Sequence, residues 1–161
     1  MSKMNVVLSV ALLVLVAHLA HAGPLAPPSP VTAHAVRLHP GDDLRKSLMA
    51  FAKSRGLQAG FVMTVVGSVR EARLRMADQH DATAIKGPLE IVSLTGTLDG
   101  EACHLHASLS DGTGRTYGGH LVEGCPIYTT AEVVLGEADA LRFTREVDPR
   151  TTFPELVIRS R

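Results

Sequence analysis

The chain has 161 residues, with 16 Lys and Arg against 16 Asp and Glu, eight His, two Cys and no Trp. So even a charge balance gives no electrostatic reason to seek nucleic acid or an anionic membrane. Two cysteines are too few for a disulfide-stapled miniprotein, and 4% aromatic residues supply a poor stacking platform for single-stranded nucleic acid.

The first 22 residues read as a secretion signal. Lys3 gives the positive start, residues 6–17 an apolar run, and Ala20-His21-Ala22 a small-x-small cleavage site. The run is short for a bilayer span, and Pro24, Pro27, Pro28 and Pro30 stop any helix beyond it. Cleavage leaves 139 residues, one ordinary domain, with 15 basic residues against 16 acidic ones and a net charge of −1. The expected product is secreted, with no membrane span after cleavage. The single asparagine, Asn5, lies in the signal, so the mature chain has no N-glycosylation sequon.

Residues 23–30 form a Pro-rich lead-in, and one domain is expected over residues 31–161. Residues 31–38 alternate loosely and predict a first strand. A helix follows, with Asp42 or Asp43 at its start. Leu44, Leu48, Phe51 and Ala52 share one face, Lys53 and Arg55 occupy the last turn, and Gly56 ends it. Asp42-Asp43 reads as a charged helix start, not an acid/base pair, because neighbours on a helix point apart.

Past Gly60 the pattern becomes β-like. Val69, Ala72, Leu74 and Met76 alternate with Arg70, Arg73 and Arg75, with one slip near Glu71. Further strands are expected over residues 88–98, 101–109, 118–122, 126–136, 141–147 and 156–158. The expectation is an α+β domain with about seven strands in a largely antiparallel sheet and one clear helix.

"CHLHASLSDGTGRTYGGHL", residues 103–121, concentrates His104, His106 and His120 around a glycine-containing turn. With the turn centred on Thr113, His106 faces His120, and His104 lies two residues away on the same side of the sheet. Opposed Cβ atoms are about 4.5–5.5 Å apart, so three imidazoles can converge on one ion at about 2.0–2.1 Å. Gly118 and Gly119 leave room above the sheet. Three neutral histidines leave a fourth position open, the pattern of a catalytic metal centre more than a structural one. A second register instead sets Cys103 opposite Cys125, which allows a disulfide and loosens the cluster. Both registers remain open on sequence alone. His34, His39 and His80 have no such company and read as surface or loop residues.

The runs "GFVMTVVGSV", "PLEIVSLTGTL", "HLHASLSDGTGRTYGGHL" and "EGCPIYTTAEVVL", in that order, resemble the plant and prokaryote conserved (PPC) domain family. The resemblance spans residues 33–145, and the H-x-H … G-G-H run matches its prokaryotic-type branch. It implies an α/β or α+β fold with one or two flanking helices, assembly as a homotrimer, and a metal, zinc above others, held by His104, His106 and His120. A small molecule could then bind at the metal. Glu132 in "TTAEVVL" matches a recurrent family glutamate and is a candidate base or hydrogen-bond partner of a ligand. Plant relatives place this domain behind an R-G-R-P minor-groove element and bind DNA. This chain has no R-G-R-P, so nucleic acid is not the expected partner. The alternative to a metal protein is a metal-independent oligomeric interaction module.

Overall fold

The structure is a computed structural model that describes residues 26–161. The expected signal, residues 1–22, and the start of the lead-in lie outside the described residues. Its elements are β1 (Val31–Leu38), α1 (Leu44–Arg55), β2 (Gly60–Arg75), β3 (Ala82–Leu98), β4 (Cys103–Ser110), β5 (Thr116–Leu121), β6 (Ile127–Ala138), β7 (Leu141–Val147) and β8 (Pro154–Ser160). The expected count of about seven strands becomes eight among the described residues, with a single helix there.

Asp43 is the N-cap of α1, its carboxylate accepting from the Lys46 amide at 2.9 Å. Its other oxygen accepts from the amides of Gly124 (2.7 Å) and Cys125 (2.9 Å). One side chain therefore satisfies a free helical N–H and ties the helix start to the loop entering β6. Gly56 ends the helix at φ 64°, a left-handed conformation that costs a residue without Cβ little. Leu44, Leu48 and Ala52 are fully buried and Phe51 is half-buried, so the expected face is the one that packs.

Six strands form one antiparallel sheet in the order β1-β6-β2-β3-β4-β5. The long strand β2 organises it. One edge of β2 pairs with β3. The other edge pairs with β6 as far as Val69 and then with β5, where Leu74 meets Leu121 and Arg75 meets His120. This last contact closes β2, β3, β4 and β5 into a ring. The slip expected near Glu71 is a register shift against β3 between Val69 and Glu71. Such bulges bend a strand, which lets β2 leave β6 and reach β5. Leu74, Leu89, Leu98, Leu109, Ile127 and Leu135 fill the interior with the helix. β7 and β8 form a separate two-stranded sheet.

Both cysteines are free thiols. Cys125 is buried in the core, where its sulfur accepts from the Arg73 amide at 3.2 Å. Burial pushes its thiol up to about 11. His34 departs from the surface role expected for it. It sits on β1 with its ring edge toward Phe51 (centroids 6.1 Å apart) and its Nε2 3.8 Å from a Glu137 oxygen.

Replacing Asp43 with Ala removes the helix cap and both loop tethers. A loss of about 2–3 kcal/mol is expected in urea unfolding, above the usual cost of a cap alone.

Candidate metal centre

The β4–β5 hairpin is pinned at its turn by Asp111. One carboxylate oxygen accepts from the Thr113 amide (2.9 Å), the Thr113 hydroxyl (2.6 Å) and the Arg115 amide (3.1 Å). The other accepts from the Tyr117 hydroxyl at 3.3 Å. The Thr113 hydroxyl bond, chief among these, holds the Asp111 carboxyl below the usual carboxylate range. Gly114 takes φ 84°. The resulting ladder pairs Ser110 with Thr116 and His106 with His120. Of the two registers open to the sequence, this is the one that opposes histidines and leaves the cysteines apart.

The consequence is a tight cluster. The Nε2 atoms of His104 and His106 are 3.0 Å apart, near enough to share one proton. Ring centroids are 5.0 Å apart for His104–His106, 4.9 Å for His104–His120 and 4.2 Å for His106–His120. One ring nitrogen from each lies within 4.8 Å of the others. Ligands at about 2.0–2.1 Å from a tetrahedral ion stand about 3.3 Å from each other. The three rings are thus close to the spacing an ion requires, and imidazole suits zinc and several other divalent transition metals. His120 is half-buried and the other two are exposed, so a ligand can approach from solvent.

Neighbouring strands frame the cluster. Thr95 and Thr97 of β3 pair with His106 and His104. Between them Gly96 has φ 135°, and a Cβ there would collide with the His104 carbonyl. This glycine inside a strand pattern is a legible signal of close backbone approach that sequence reasoning missed. The expected roles of Gly118 and Gly119 divide. Gly118 lines an open depression of about 400 Å³ with His106 and His120. A Cβ on Gly119 would sit 2.8 Å from the Arg75 carbonyl, so that glycine admits β2 rather than an ion.

Burial, first of all, holds His104 and His120 below the ordinary imidazole value. The Arg145 guanidinium is the next cause for His104, and Arg75 for His120. Both effects disfavour the charged ring and keep its nitrogen lone pair available to a metal at neutral pH.

Glu132 lies elsewhere. It is exposed on β6, paired with Arg37 of β1 and Val66 of β2. Two strands separate β6 from β4, about 14 Å at the usual strand spacing of about 4.8 Å. His39 is in the loop before α1, 3.8 Å from Asp42. His80, also in a loop, shares a cavity with Arg75 and His120.

The sign of the histidine shifts fixes a pH dependence. In the metal-free protein, the ring protons of His104 and His120 should titrate by NMR below the usual imidazole midpoint. Metal should be released only as pH falls through those lowered values, because protons then compete for the same nitrogens. Midpoints at or above the ordinary value would show that neither burial nor the neighbouring guanidiniums disfavour the charged rings.

A family model, the Plants and Prokaryotes Conserved (PCC) domain, matches residues 26–139. A hypothetical protein from Salmonella enterica is 37% identical, with TM-score 0.83 over 85% of this chain and 99% of that one. A metal-containing protein from Archaeoglobus fulgidus is 26% identical, with TM-score 0.71 over 83% of this chain and 99% of that one. A protein from Ralstonia eutropha, provisionally named as DNA-binding, is 24% identical with TM-score 0.67, covering 83% of this chain and 94% of that one. At that identity the likeness shows fold alone. Bifunctional proteins GlmU from two Synechococcus strains are 46% identical over 132 residues, which is 82% of this chain and 21% of theirs. The chain therefore spans about a fifth of the length of those curated relatives. The α+β fold, the order of the motifs and the family model agree: the chain belongs to the plants and prokaryotes conserved domain family.

Proposed function

We propose that this chain is a secreted, homotrimeric metal-binding protein whose open site is formed by His104, His106 and His120. The observation that carries the reading is the convergence of three ring nitrogens within 4.8 Å on one hairpin. The metal-containing relative from Archaeoglobus fulgidus supports it. Zinc is the proposed ion. When bound, it supplies Lewis-acid polarisation of a carbonyl or phosphoryl oxygen at the fourth position. If the site is catalytic, hydrolysis or lyase chemistry on a small molecule is the natural class. The chain's own part is to hold three neutral imidazoles in place, with Thr95 and Thr97 hydroxyls beside them. Glu132 enters as a base only if another subunit of the trimer presents it, since its own strand is remote from the cluster. Secretion rests on the pattern of residues 1–22.

DNA binding is a second reading, favoured by the provisional name of the Ralstonia eutropha neighbour. It requires an affinity that falls steeply with salt.

Metal analysis of the untagged protein beside a His104→Ala/His106→Ala/His120→Ala variant tests the first reading. About one zinc per chain is expected in the parent and none in the variant, with a trimeric mass for the parent by light scattering. A folded parent that takes up no metal contradicts the reading and leaves an interaction module. Fluorescence titration with duplex DNA at two salt concentrations tests the second.

A further inference from the structure

We infer that the histidine site is built to receive a small carboxylate, drawn by the charge of Arg75 on one flank and Arg145 on the other. The inference rests on the metal reading above and deepens it. Cross-strand pairing sets Thr95, His106, His120 and Arg75 side by side across β3, β4, β5 and β2. Paired residues of an antiparallel ladder project to the same face, so the Arg75 guanidinium flanks His120. On the opposite flank the β7–β8 hairpin brings in Arg145, which donates to the Thr97 hydroxyl at 3.1 Å. Thr97 is the cross-strand partner of His104. Arg145, His104 and His106 line one cavity of about 270 Å³, and Arg75, His106 and His120 line the depression of about 400 Å³. The two arginines thus bracket the three rings from opposite ends.

Neither guanidinium forms an ion pair, although Arg75 donates to the Gln79 carbonyl at 3.4 Å. Among the described residues, the arginines in ion pairs are Arg45, Arg150, Arg159 and Arg161. Glu123, near Arg75, is engaged by Arg45 and Lys46. Glu155 lines the Arg145 side without an ion pair to it, one oxygen accepting from the Thr151 hydroxyl at 2.9 Å, and its charge offsets part of the Arg145 field. Two unpaired guanidiniums beside a cationic metal site raise its positive charge, and planar N–H forks match a carboxylate. A neutral carbonyl compound would leave both arginines unanswered. Cavities of about 270 and 400 Å³ are of a size that takes a small molecule, so the ligand class is a small organic acid.

The test uses cobalt-loaded protein, whose visible spectrum reports changes at the ion. Acetate is titrated against acetamide, its neutral counterpart, into the parent, Arg75→Gln, Arg145→Gln and Arg145→Lys proteins. Saturable spectral change with acetate and none with acetamide is expected. The dissociation constant should rise about ten-fold in each Gln variant and be partly restored in Arg145→Lys. Imidazole, a neutral metal ligand, should bind all four proteins alike, which shows that the ion and fold are intact. Equal affinity for acetate and acetamide, or acetate binding unmoved by both Gln variants, overturns the inference while imidazole binding leaves the metal reading standing. Failure to load cobalt overturns the metal reading and this inference with it.

Discussion

The register of one hairpin governs the histidine site. Side chains alternate faces along a strand, so a slip of one residue would send His120 into the interior and Leu121 to solvent. The Asp111 carboxylate resists that slip, gathering two amides and two hydroxyls into a closed turn. From it follow the His106–His120 opposition and, one pleat on, the position of His104. The ring closure of β2 onto β5 then adds a second lock, because Arg75 and Leu74 pair with His120 and Leu121. A turn at one end and a strand contact at the other leave the histidines little freedom. That matters for metal binding, since ordering three side chains after the fact would cost affinity.

The same closure explains why β2 is long and irregular. It must serve β6 over its first half and β5 at its end, which no straight strand can do. Its register shifts fall between Val62 and Thr64, Gly67 and Val69, and Val69 and Glu71. Each redirects the strand while Val65, Val69, Ala72 and Leu74 stay buried. The helix covers the core with Leu44 and Leu48, and Asp43 connects its start to the loop holding Cys125. Stability and site geometry are thereby linked through the loop between β5 and β6.

Local features of this fold were legible from residues alone. The helix face, its Gly56 stop, the glycine-containing turn and the shared face of the three histidines depend on patterns within a few residues. The choice between two registers was not legible, because the cysteine pairing and the histidine pairing both satisfied alternation. Asp111 decides it through side-chain bonds that spacing does not encode. Arg75 and Arg145 were invisible as site residues for a different reason. Arg75 reaches the site through the β2–β5 contact, and Arg145 through the packing of the β7–β8 hairpin beside β3. Both are pairings distant in sequence. His34 was misread because alternation on an edge strand does not reveal that Phe51 and Glu137 enclose it. Gly96 was overlooked although a glycine in mid-strand is a standing signal.

The central claim is that three imidazoles of one chain ligate one ion. X-ray absorption at the edge of the bound metal tests it most directly. The account predicts three imidazole nitrogens at about 2.0–2.1 Å with one further light ligand for zinc. A shell with sulfur, or with fewer than three imidazoles, would contradict it.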